Sequence, residues 1–215
     1  MVAAMRASPD ASTLAALTEI YLKASEAGSA TDRSPLQAYH RRRWLRASDF
    51  AGWLAASELP ALTMERALTL YRASGGNRAT DFKANPIEEV RDSLDFLLYD
   101  AVKLEGRFSE CASEGGAYKL AGAGKEFVSY LMCLRDPTLF AAWNFYAERA
   151  LRHLGMYPGA LRKGDLGLRY LDWLETVHKV RHQLGVADFR AVDEFCYVVT
   201  LTSNPPGRRK HGVSG

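Results

Sequence analysis

Two glycines one residue apart, Gly122 and Gly124, give the stretch LAGAGK at residues 120–125 the clearest chemical pattern in the sequence. Glycine is needed where the backbone adopts a positive φ or where another group approaches closely. A hairpin turn that opens into a helix leaves several backbone N–H groups without partners, and the helix macrodipole makes that end electropositive. The pattern therefore predicts a turn that holds a phosphate, with Lys119 and Lys125 as neighbouring cations. The alternative is a helix-capping glycine in an ordinary turn between two helices.

The motifs of two common nucleotide-binding loops do not fit this stretch. A Walker loop needs a glycine five residues before Gly124, where Lys119 stands. It also needs a Ser or Thr after Lys125, where Glu126 stands. A Rossmann fingerprint needs a third glycine, where Phe127 stands, and a preceding strand that the sequence does not predict. The sequence excludes both classes of nucleotide site.

The densest positive charge lies in the stretch HRRRWLR at residues 40–46. Three adjacent arginines, Arg41, Arg42 and Arg43, cover most of the circumference of a helix, so they cannot all face the core. One interpretation is a face that contacts DNA phosphates, and the other is a solvated helix face. Trp44 either stacks on a base or packs inward. Because the net charge is only +3, any attraction for nucleic acid must come from such local patches.

The sequence contains few candidates for a metal or cofactor site. His178 and His182 are spaced i and i+4 on a predicted helix, a spacing that can chelate a metal. No third ligand stands out, however, and the neighbouring Lys179 and Arg181 make the position unfavourable for a cation. The histidines are therefore read as part of a solvated face, and neither a metal nor a cofactor is predicted.

Cysteine usage and hydropathy predict a cytoplasmic protein that does not associate with membranes. The three cysteines are widely spaced without a CxxC pair, which indicates free thiols in a reducing compartment. No apolar run approaches the length of a membrane span, and the first residues lack the apolar core of a signal peptide.

The elements that must position these groups are helices. Apolar residues recur with helical periodicity, and no segment shows the period of two that marks a strand. The predicted fold class is all-α, with one two-lobed helical domain over residues 1–200. Its N-terminal lobe spans about residues 1–80, a hairpin-containing region about 86–155, and C-terminal helices about 165–200. Residues 201–215, rich in Pro, Gly and basic side chains, form a predicted disordered basic tail.

Local signals place some of the helix boundaries. Ser34-Pro35 is typical of a helix start, and Ser48 and Thr63 are predicted to cap two further helices. Gly185 is predicted to end a long helix. The polar residues 75–86, which begin with a glycine pair, are predicted to connect the two lobes.

Residues 120–132, LAGAGKEFVSYLM, resemble the hairpin of the helix-hairpin-helix DNA glycosylase superfamily, which is written LPGVGxKxA. The leucine and both glycines match, and an apolar helix follows. In that family a catalytic lysine is followed about eighteen residues later by a catalytic aspartate. The corresponding positions here hold Glu126 and Asn144, so the register fits while both catalytic identities differ. The resemblance covers about residues 86–155.

The resemblance implies a monofunctional DNA glycosylase that hydrolyses the N-glycosidic bond of a modified or damaged base. Double-stranded DNA would cross the cleft between two lobes, with the hairpin amides on the phosphate beside a flipped-out nucleotide. Glu126 would supply the catalytic carboxylate while Asn144 orients water, and Glu148 is a second candidate carboxylate. Trp143 and Tyr146 would wall the base pocket. Without a lysine at position 126 the chain should form no Schiff base, which predicts no lyase activity.

Two further hypotheses stay open. The substituted catalytic positions also favour an inactive helix-hairpin-helix module that recognises modified DNA for a partner nuclease or regulator. Alternatively, the chain is a helical interaction protein in which the hairpin is only a turn. Base repair and defence against phage DNA both agree with the first two hypotheses, and the sequence does not identify a target base.

Overall fold

The computed structural model describes residues 11–26, 34–158 and 164–203. All regular secondary structure in these ranges is helical, which confirms the predicted all-α class. A short 3-10 helix lies at Leu59–Ala61. The α-helices are α1 (Ala11–Glu26), α2 (Pro35–Arg43), α3 (Ala47–Trp53), α4 (Met64–Ala73), α5 (Ala79–Lys83), α6 (Ile87–Tyr99), α7 (Leu104–Ala112), α8 (Lys125–Arg135), α9 (Phe145–His153), α10 (Leu166–Leu184) and α11 (Phe189–Ser203).

Several helix ends lie where local sequence signals predict them. The Ser34 hydroxyl accepts a hydrogen bond from an amide of the first turn of α2, with Pro35 as the first helical residue. Thr63 caps α4 in the same way. Gly185 ends α10 with a φ of +66°, a left-handed conformation that glycine adopts readily. The prediction for Ser48 is wrong, because this residue lies inside α3.

The connection predicted between two lobes is instead built into the core. Residues 79–83 form α5, which the polar sequence did not predict. The Phe82 ring of this helix is completely buried and stacks on Tyr71 of α4, with the ring centroids 4.4 Å apart. It also meets Phe127 of α8 edge to face at 5.2 Å. The segment between α4 and α6 therefore contains a helix that packs against the start of α8.

The two ends of the described chain pack against each other. Helices α1 and α2 contact α11, and α9 packs against α11 as well. Tyr21 meets Phe195 edge to face, and Tyr39 stacks on Tyr197 with the ring centroids 4.1 Å apart. The buried apolar side chains of the described helices form one cluster. The division into two lobes stays a prediction, but residues 1–80 are not a self-contained unit.

Helix α11 extends further than the sequence analysis predicts. It continues to Ser203, whose hydroxyl donates a hydrogen bond of 2.7 Å to the carbonyl of Val199. The prediction of a disordered tail is therefore wrong for residues 201–203, because helical hydrogen bonding continues through them. The rest of that predicted tail, residues 204–215, lies outside the described residues, as do residues 1–10 of the predicted N-terminal lobe.

Candidate functional site

The turn before α8 requires glycine at position 122. Gly122 has a φ of +76°, in the left-handed region that L side chains rarely adopt. A Cβ atom there would lie 2.9 Å from both the Arg78 carbonyl oxygen and the Phe82 amide nitrogen of α5. The Gly122 carbonyl accepts a 2.8 Å hydrogen bond from the hydroxyl of Tyr71. The first glycine of the pair is therefore pressed against α4 and α5.

Two side chains hold this turn in place. Asn85 accepts a 2.9 Å hydrogen bond from the amide of Ala121 and donates one of 3.2 Å to the carbonyl of the same residue. Lys119 donates from its ammonium group to the carbonyl of Ala123 and to the carboxylate of Glu114. The predicted phosphate contact of Lys119 is therefore corrected, because its side chain is mostly buried and its ammonium group already binds the Ala123 carbonyl and the Glu114 carboxylate.

The second glycine leaves the beginning of α8 uncovered. Gly124 is the N-cap of α8 in an extended conformation, and no side chain caps the helix. A Cβ atom there would have no neighbour within 4 Å. Residues 122–127 form one wall of a cavity of about 270 Å³, and Tyr71 with residues 74–77 forms the other. Backbone N–H groups of the first turn of α8 and the positive end of its dipole therefore lie at a cavity.

Glu126 contributes a carboxylate to this cavity. Its Oε1 accepts a 3.1 Å hydrogen bond from the amide of Phe145, the residue that follows Asn144. A Cβ atom on Gly75 would lie 4.0 Å from Glu126 Oε2 and 3.8 Å from Arg43 Nη1, so both the carboxylate and the guanidinium lie close to that glycine. Burial raises the pKa of Glu126 above its usual value. Glu126 thus contacts the backbone of the residue that follows Asn144.

Asn144 is a buried structural residue. It is the N-cap of α9, and its Oδ1 accepts a 2.9 Å hydrogen bond from the amide of Ala147. Its amide nitrogen donates to the carboxylate of Asp193 and, at 3.5 Å, to the hydroxyl of Tyr39. The expectation that Asn144 orients a water molecule is therefore corrected, because both ends of its side chain are already bonded within the core.

The carboxylate of Asp193 in α11 accepts hydrogen bonds from two residues of α2 and from Trp44, the residue that follows α2. Its Oδ2 accepts from the Tyr39 hydroxyl at 2.8 Å, from Arg43 Nε at 3.1 Å and from Trp44 Nε1 at 3.0 Å. Arg43 is only 2% exposed and also donates to the carbonyl of Ser74 at 2.6 Å. Its predicted phosphate contact is wrong, and Trp44 packs inward. A buried carboxylate needs such partners to offset the loss of water.

The other two arginines of this cluster are exposed, as a phosphate-contacting or solvated face requires. Arg42 lies over the ring of Tyr39, with its Cζ atom 5.4 Å from the ring centroid. Of the three adjacent arginines, therefore, Arg41 and Arg42 can meet a ligand from solution, while Arg43 is a core residue.

Glu148 forms an ion pair with Lys125. The Lys125 ammonium group donates to Glu148 Oε1, which also accepts from Trp143 Nε1 at 2.8 Å. Arg152 lies 3.6 Å from the other carboxylate oxygen. Burial acts to raise the pKa of Glu148, but hydrogen bonding and attraction from Lys125 outweigh it, and the pKa is lowered. Glu148 is consequently a bonded carboxylate, and the charge of Lys125 is partly neutralised at the start of α8.

The aromatic side chains near the site differ in exposure. Trp143 is fully buried and stacks on Trp173, with the ring centroids 5.5 Å apart, so its predicted role as a wall of a base pocket is wrong. Tyr146 is half-buried. Phe145, another aromatic residue that could wall a pocket for an extruded base, is 56% exposed. The sequence indicates this exposure, because Phe145 lies outside the apolar face of α9. That face consists of the buried residues Ala147, Ala150 and Leu151.

The histidine pair and the cysteines show no sign of a reactive centre. His178 and His182 line an open, solvent-facing cavity with Lys179 and Arg181. Within residues 11–26, 34–158 and 164–203 no group of three or more His, Cys, Asp or Glu side chains is arranged to hold a metal. All three cysteines are free and buried, and burial raises the pKa of Cys111 to about 12. No helix in the described part of the chain could cross a membrane.

The site therefore combines an uncapped helix start, a cavity and one half-buried carboxylate, with an exposed aromatic ring beside it. These groups can hold an anion at the helix start and can accept a proton at Glu126. No protein-family model, curated protein or solved structure matches the chain significantly.

Proposed function

We propose that this protein binds duplex DNA through the hairpin at residues 120–125 and acts as a monofunctional DNA glycosylase, within a two-lobed helix-hairpin-helix architecture. It would excise a modified or damaged base by hydrolysing the N-glycosidic bond. The observation that carries the proposal is the position of Glu126. Its half-buried carboxylate lines a cavity beside the uncapped start of α8, next to the N-terminus of α9.

The hairpin supplies the contact with the DNA backbone. Phosphate oxygens accept hydrogen bonds from backbone N–H groups at a helix start, where the dipole favours negative charge. Gly124 leaves room for this approach because it carries no side chain and an added Cβ would have no neighbour within 4 Å. Arg41 and Arg42, which are exposed, extend the positive surface. These contacts position the duplex without reading its sequence.

Glu126 supplies the chemistry on the flipped nucleotide. A base inside a duplex is not accessible, so the nucleotide must leave the stack before its glycosidic bond can be attacked. The charged Glu126 carboxylate stabilises the positive charge that develops on the sugar as the glycosidic bond breaks and the base leaves with the bonding electrons. It then takes a proton from the water that adds to the sugar carbon, and the released base gains a proton from solvent. A raised pKa makes this carboxylate a stronger base than an exposed glutamate.

The same geometry argues for hydrolysis without strand cleavage by a lyase step. A Schiff base needs a free amine at the reacting sugar. Position 126 carries a carboxylate, and the amine of the adjacent Lys125 is bonded to Glu148 and lies 4.3 Å from the centroid of the Trp143 ring. The product would therefore be an intact strand with an abasic site.

A second candidate function is recognition of DNA without catalysis. Two of the three candidate catalytic residues, Asn144 and Glu148, are fully engaged by other protein groups. Glu126 itself accepts a hydrogen bond from the first amide of α9, which is a structural role. In this case the hairpin presents DNA to a partner nuclease or regulator.

One experiment separates these candidates. Duplexes that each carry one modified base are incubated with the protein, treated with alkali and assayed for strand breaks at abasic sites. For the enzyme we expect breaks only after alkali and no covalent complex after borohydride. Glu126→Gln should bind the same duplex with near-normal affinity and produce no abasic sites. Binding without abasic sites on any duplex assigns the protein to the second candidate.

DNA binding itself is tested by its salt dependence. Each neutralised phosphate contributes a slope of roughly −0.9 to the plot of log affinity against log salt. Arg42→Ala should therefore flatten the slope by about one such contact. Glu58→Ala is a matched control at an exposed position outside the site. A folded protein that retains no duplex at low salt would contradict both candidate functions.

A further inference from the structure

Three cationic side chains and one carboxylate lie together near Trp143. The Lys125 ammonium group at the start of α8 donates to the Glu148 carboxylate of α9. Arg152, one turn further along α9, lies 3.6 Å from the other oxygen of that carboxylate. The guanidinium carbon of Arg169 in α10 lies 5.8 Å from the centroid of the Trp143 ring, and the Lys125 ammonium nitrogen lies 4.3 Å from it. We call these four charged residues the cationic cluster: Lys125, Glu148, Arg152 and Arg169.

The positive charge of the cationic cluster exceeds its negative charge, because Glu148 is its single carboxylate. Arg152 is 58% exposed, and its 3.6 Å separation from Glu148 is longer than a hydrogen bond. Arg169 is half-buried, and in the part of the chain that the structure describes no hydrogen bond or ion pair engages its guanidinium group. Like charges that are held close together repel each other. An anion from solution would therefore stabilise this arrangement.

Neighbouring side chains hold the cluster in place. The guanidinium carbon of Arg152 lies 3.6 Å from the centroid of the Tyr157 ring. Glu148 Oε1, which binds Lys125, also accepts a 2.8 Å hydrogen bond from Trp143 Nε1. Side chains that are already ordered lose less entropy when a ligand binds. The side chain of Lys125 is 30% exposed, so a ligand can reach it although part of the surrounding water is excluded.

We propose that the three cations of the cationic cluster bind one phosphate group of a ligand, in competition with the carboxylate of Glu148. Phosphate oxygens are strong acceptors, and a guanidinium group can donate two parallel hydrogen bonds to them. An anionic oxygen of Glu148 already binds Lys125, as a phosphate oxygen would. Where the phosphate belongs to duplex DNA, the inference rests on the proposed function and extends the DNA contact from the hairpin to α9 and α10. A smaller phosphate ester has the same chemistry, so the test has two arms.

The first arm measures the binding of a fully paired duplex at a series of salt concentrations. The double variant Arg152→Ala/Arg169→Ala should reduce the slope of log affinity against log salt by roughly 0.9, the contribution of one neutralised phosphate. Arg66→Ala is the matched control and should leave the slope unchanged, since Arg66 is exposed and lies over a tryptophan ring outside the cluster.

The role of Glu148 is tested in the same arm. Glu148→Gln should bind the duplex more tightly than the wild type by roughly fivefold, because a repelling charge beside the phosphate has been removed. Glu58→Gln, at an exposed position outside the cluster, is the control for the general loss of one negative charge. Equal affinities of these two variants would contradict the competition between Glu148 and the phosphate.

The second arm uses inorganic phosphate alone. Thermal unfolding is compared in sodium phosphate and in sodium chloride at the same pH and ionic strength. A ligand that binds only the folded state raises the Tm, so phosphate should raise the Tm of the wild type more than that of the double variant. The general stabilising effect of phosphate acts on both proteins and cancels in this difference. Arg152→Gln/Arg169→Gln replaces the alanine variant if the latter does not fold.

The two arms distinguish the source of the phosphate. A reduced salt slope in the double variant supports a contact with the DNA backbone. A phosphate-dependent rise in Tm that needs the two arginines, without a change in slope, supports a site for a smaller phosphate ester. An unchanged slope together with equal effects of phosphate on the Tm of both proteins overturns the inference and leaves the proposed DNA binding intact. If the wild type binds no duplex, the proposed function fails, and the phosphate arm alone decides the inference.

Discussion

The two glycines of the hairpin should respond differently to the same substitution. Gly122 has a φ of +76°, and a Cβ atom there would lie 2.9 Å from two backbone atoms, one in α5 and one in the residue that caps its start. The left-handed region costs an L side chain about 1–2 kcal/mol. The backbone of α5 cannot yield without moving the Phe82 ring, which is packed in the core. Gly122→Ala should therefore lower the free energy of unfolding by about 2–4 kcal/mol.

Gly124→Ala serves as the internal control. Its backbone is extended, with a φ of −162°, and no atom lies within 4 Å of the position of an added Cβ. Alanine fits this conformation, but it is a poorer N-cap than glycine, so the variant should lose no more than about 1 kcal/mol of stability, less than Gly122→Ala loses. The added methyl group would narrow the approach to the start of α8, so duplex binding should weaken even though the fold is intact.

Urea and thermal unfolding measure the first effect, and gel retardation of duplex DNA measures the second. A loss of 2–4 kcal/mol corresponds to a fall in Tm of roughly 4–16 °C for a chain of this size. The reasoning would be refuted by a Gly122→Ala protein as stable as the wild type, or by equal losses of stability in the two variants. Either result would mean that the turn is not held against α5.

Arg43→Ala should lower the free energy of unfolding in urea by about 3–5 kcal/mol, because it leaves the buried Asp193 carboxylate without its counter-ion. Arg42→Ala, at an exposed position, should change this free energy by less than about 0.5 kcal/mol. Burial raises the pKa of Glu126, so the ionisation of this residue lowers the stability of the folded protein as the pH rises above about 4. Glu126→Gln should therefore gain stability relative to the wild type between about pH 4 and pH 7. Unfolding at a series of pH values measures this gain. Glu148 should behave in the opposite way. Despite burial, its lysine partner lowers the pKa of Glu148, so this carboxylate stabilises the fold at neutral pH and the stabilisation is lost in acid. In the same series, the destabilisation caused by Glu148→Gln should be largest near pH 7 and should decrease as the pH falls. Asn144→Asp would place a second carboxylate beside the buried one of α11, so we expect a lower Tm at neutral pH that partly recovers at lower pH.

The sequence predicts most of the helices and the glycine turn before α8 well, because these depend on local signals. Apolar periodicity, the caps at Ser34 and Thr63 and the stop at Gly185 act within a few residues. The proximity of Glu126 to the helix that Asn144 caps also followed from a fixed spacing.

Predictions that depended on distant partners were less accurate. Nothing near Arg43 in the sequence shows that its counter-ion is Asp193, far along the chain, so three adjacent arginines were treated alike. The prediction that Trp143 walls a pocket is wrong because Trp173 of α10, a helix that follows later in the chain, stacks on it and buries it. The polar composition of residues 79–83 gave no indication that Phe82 anchors α5 beneath the hairpin.

The hydrogen bonds to Asp193 have a consequence for the order in which the protein forms during synthesis. Tyr39 and its carboxylate partner are 154 positions apart in the chain. Arg43, which holds the Ser74 carbonyl at the wall of the cavity, gains its counter-ion only when α11 has left the ribosome and docked. A shortened product that ends before α11 should therefore be sensitive to proteases and lack the cavity, although it contains every residue that lines it. The cavity would thus form only in polypeptides whose synthesis has continued through the end of α11.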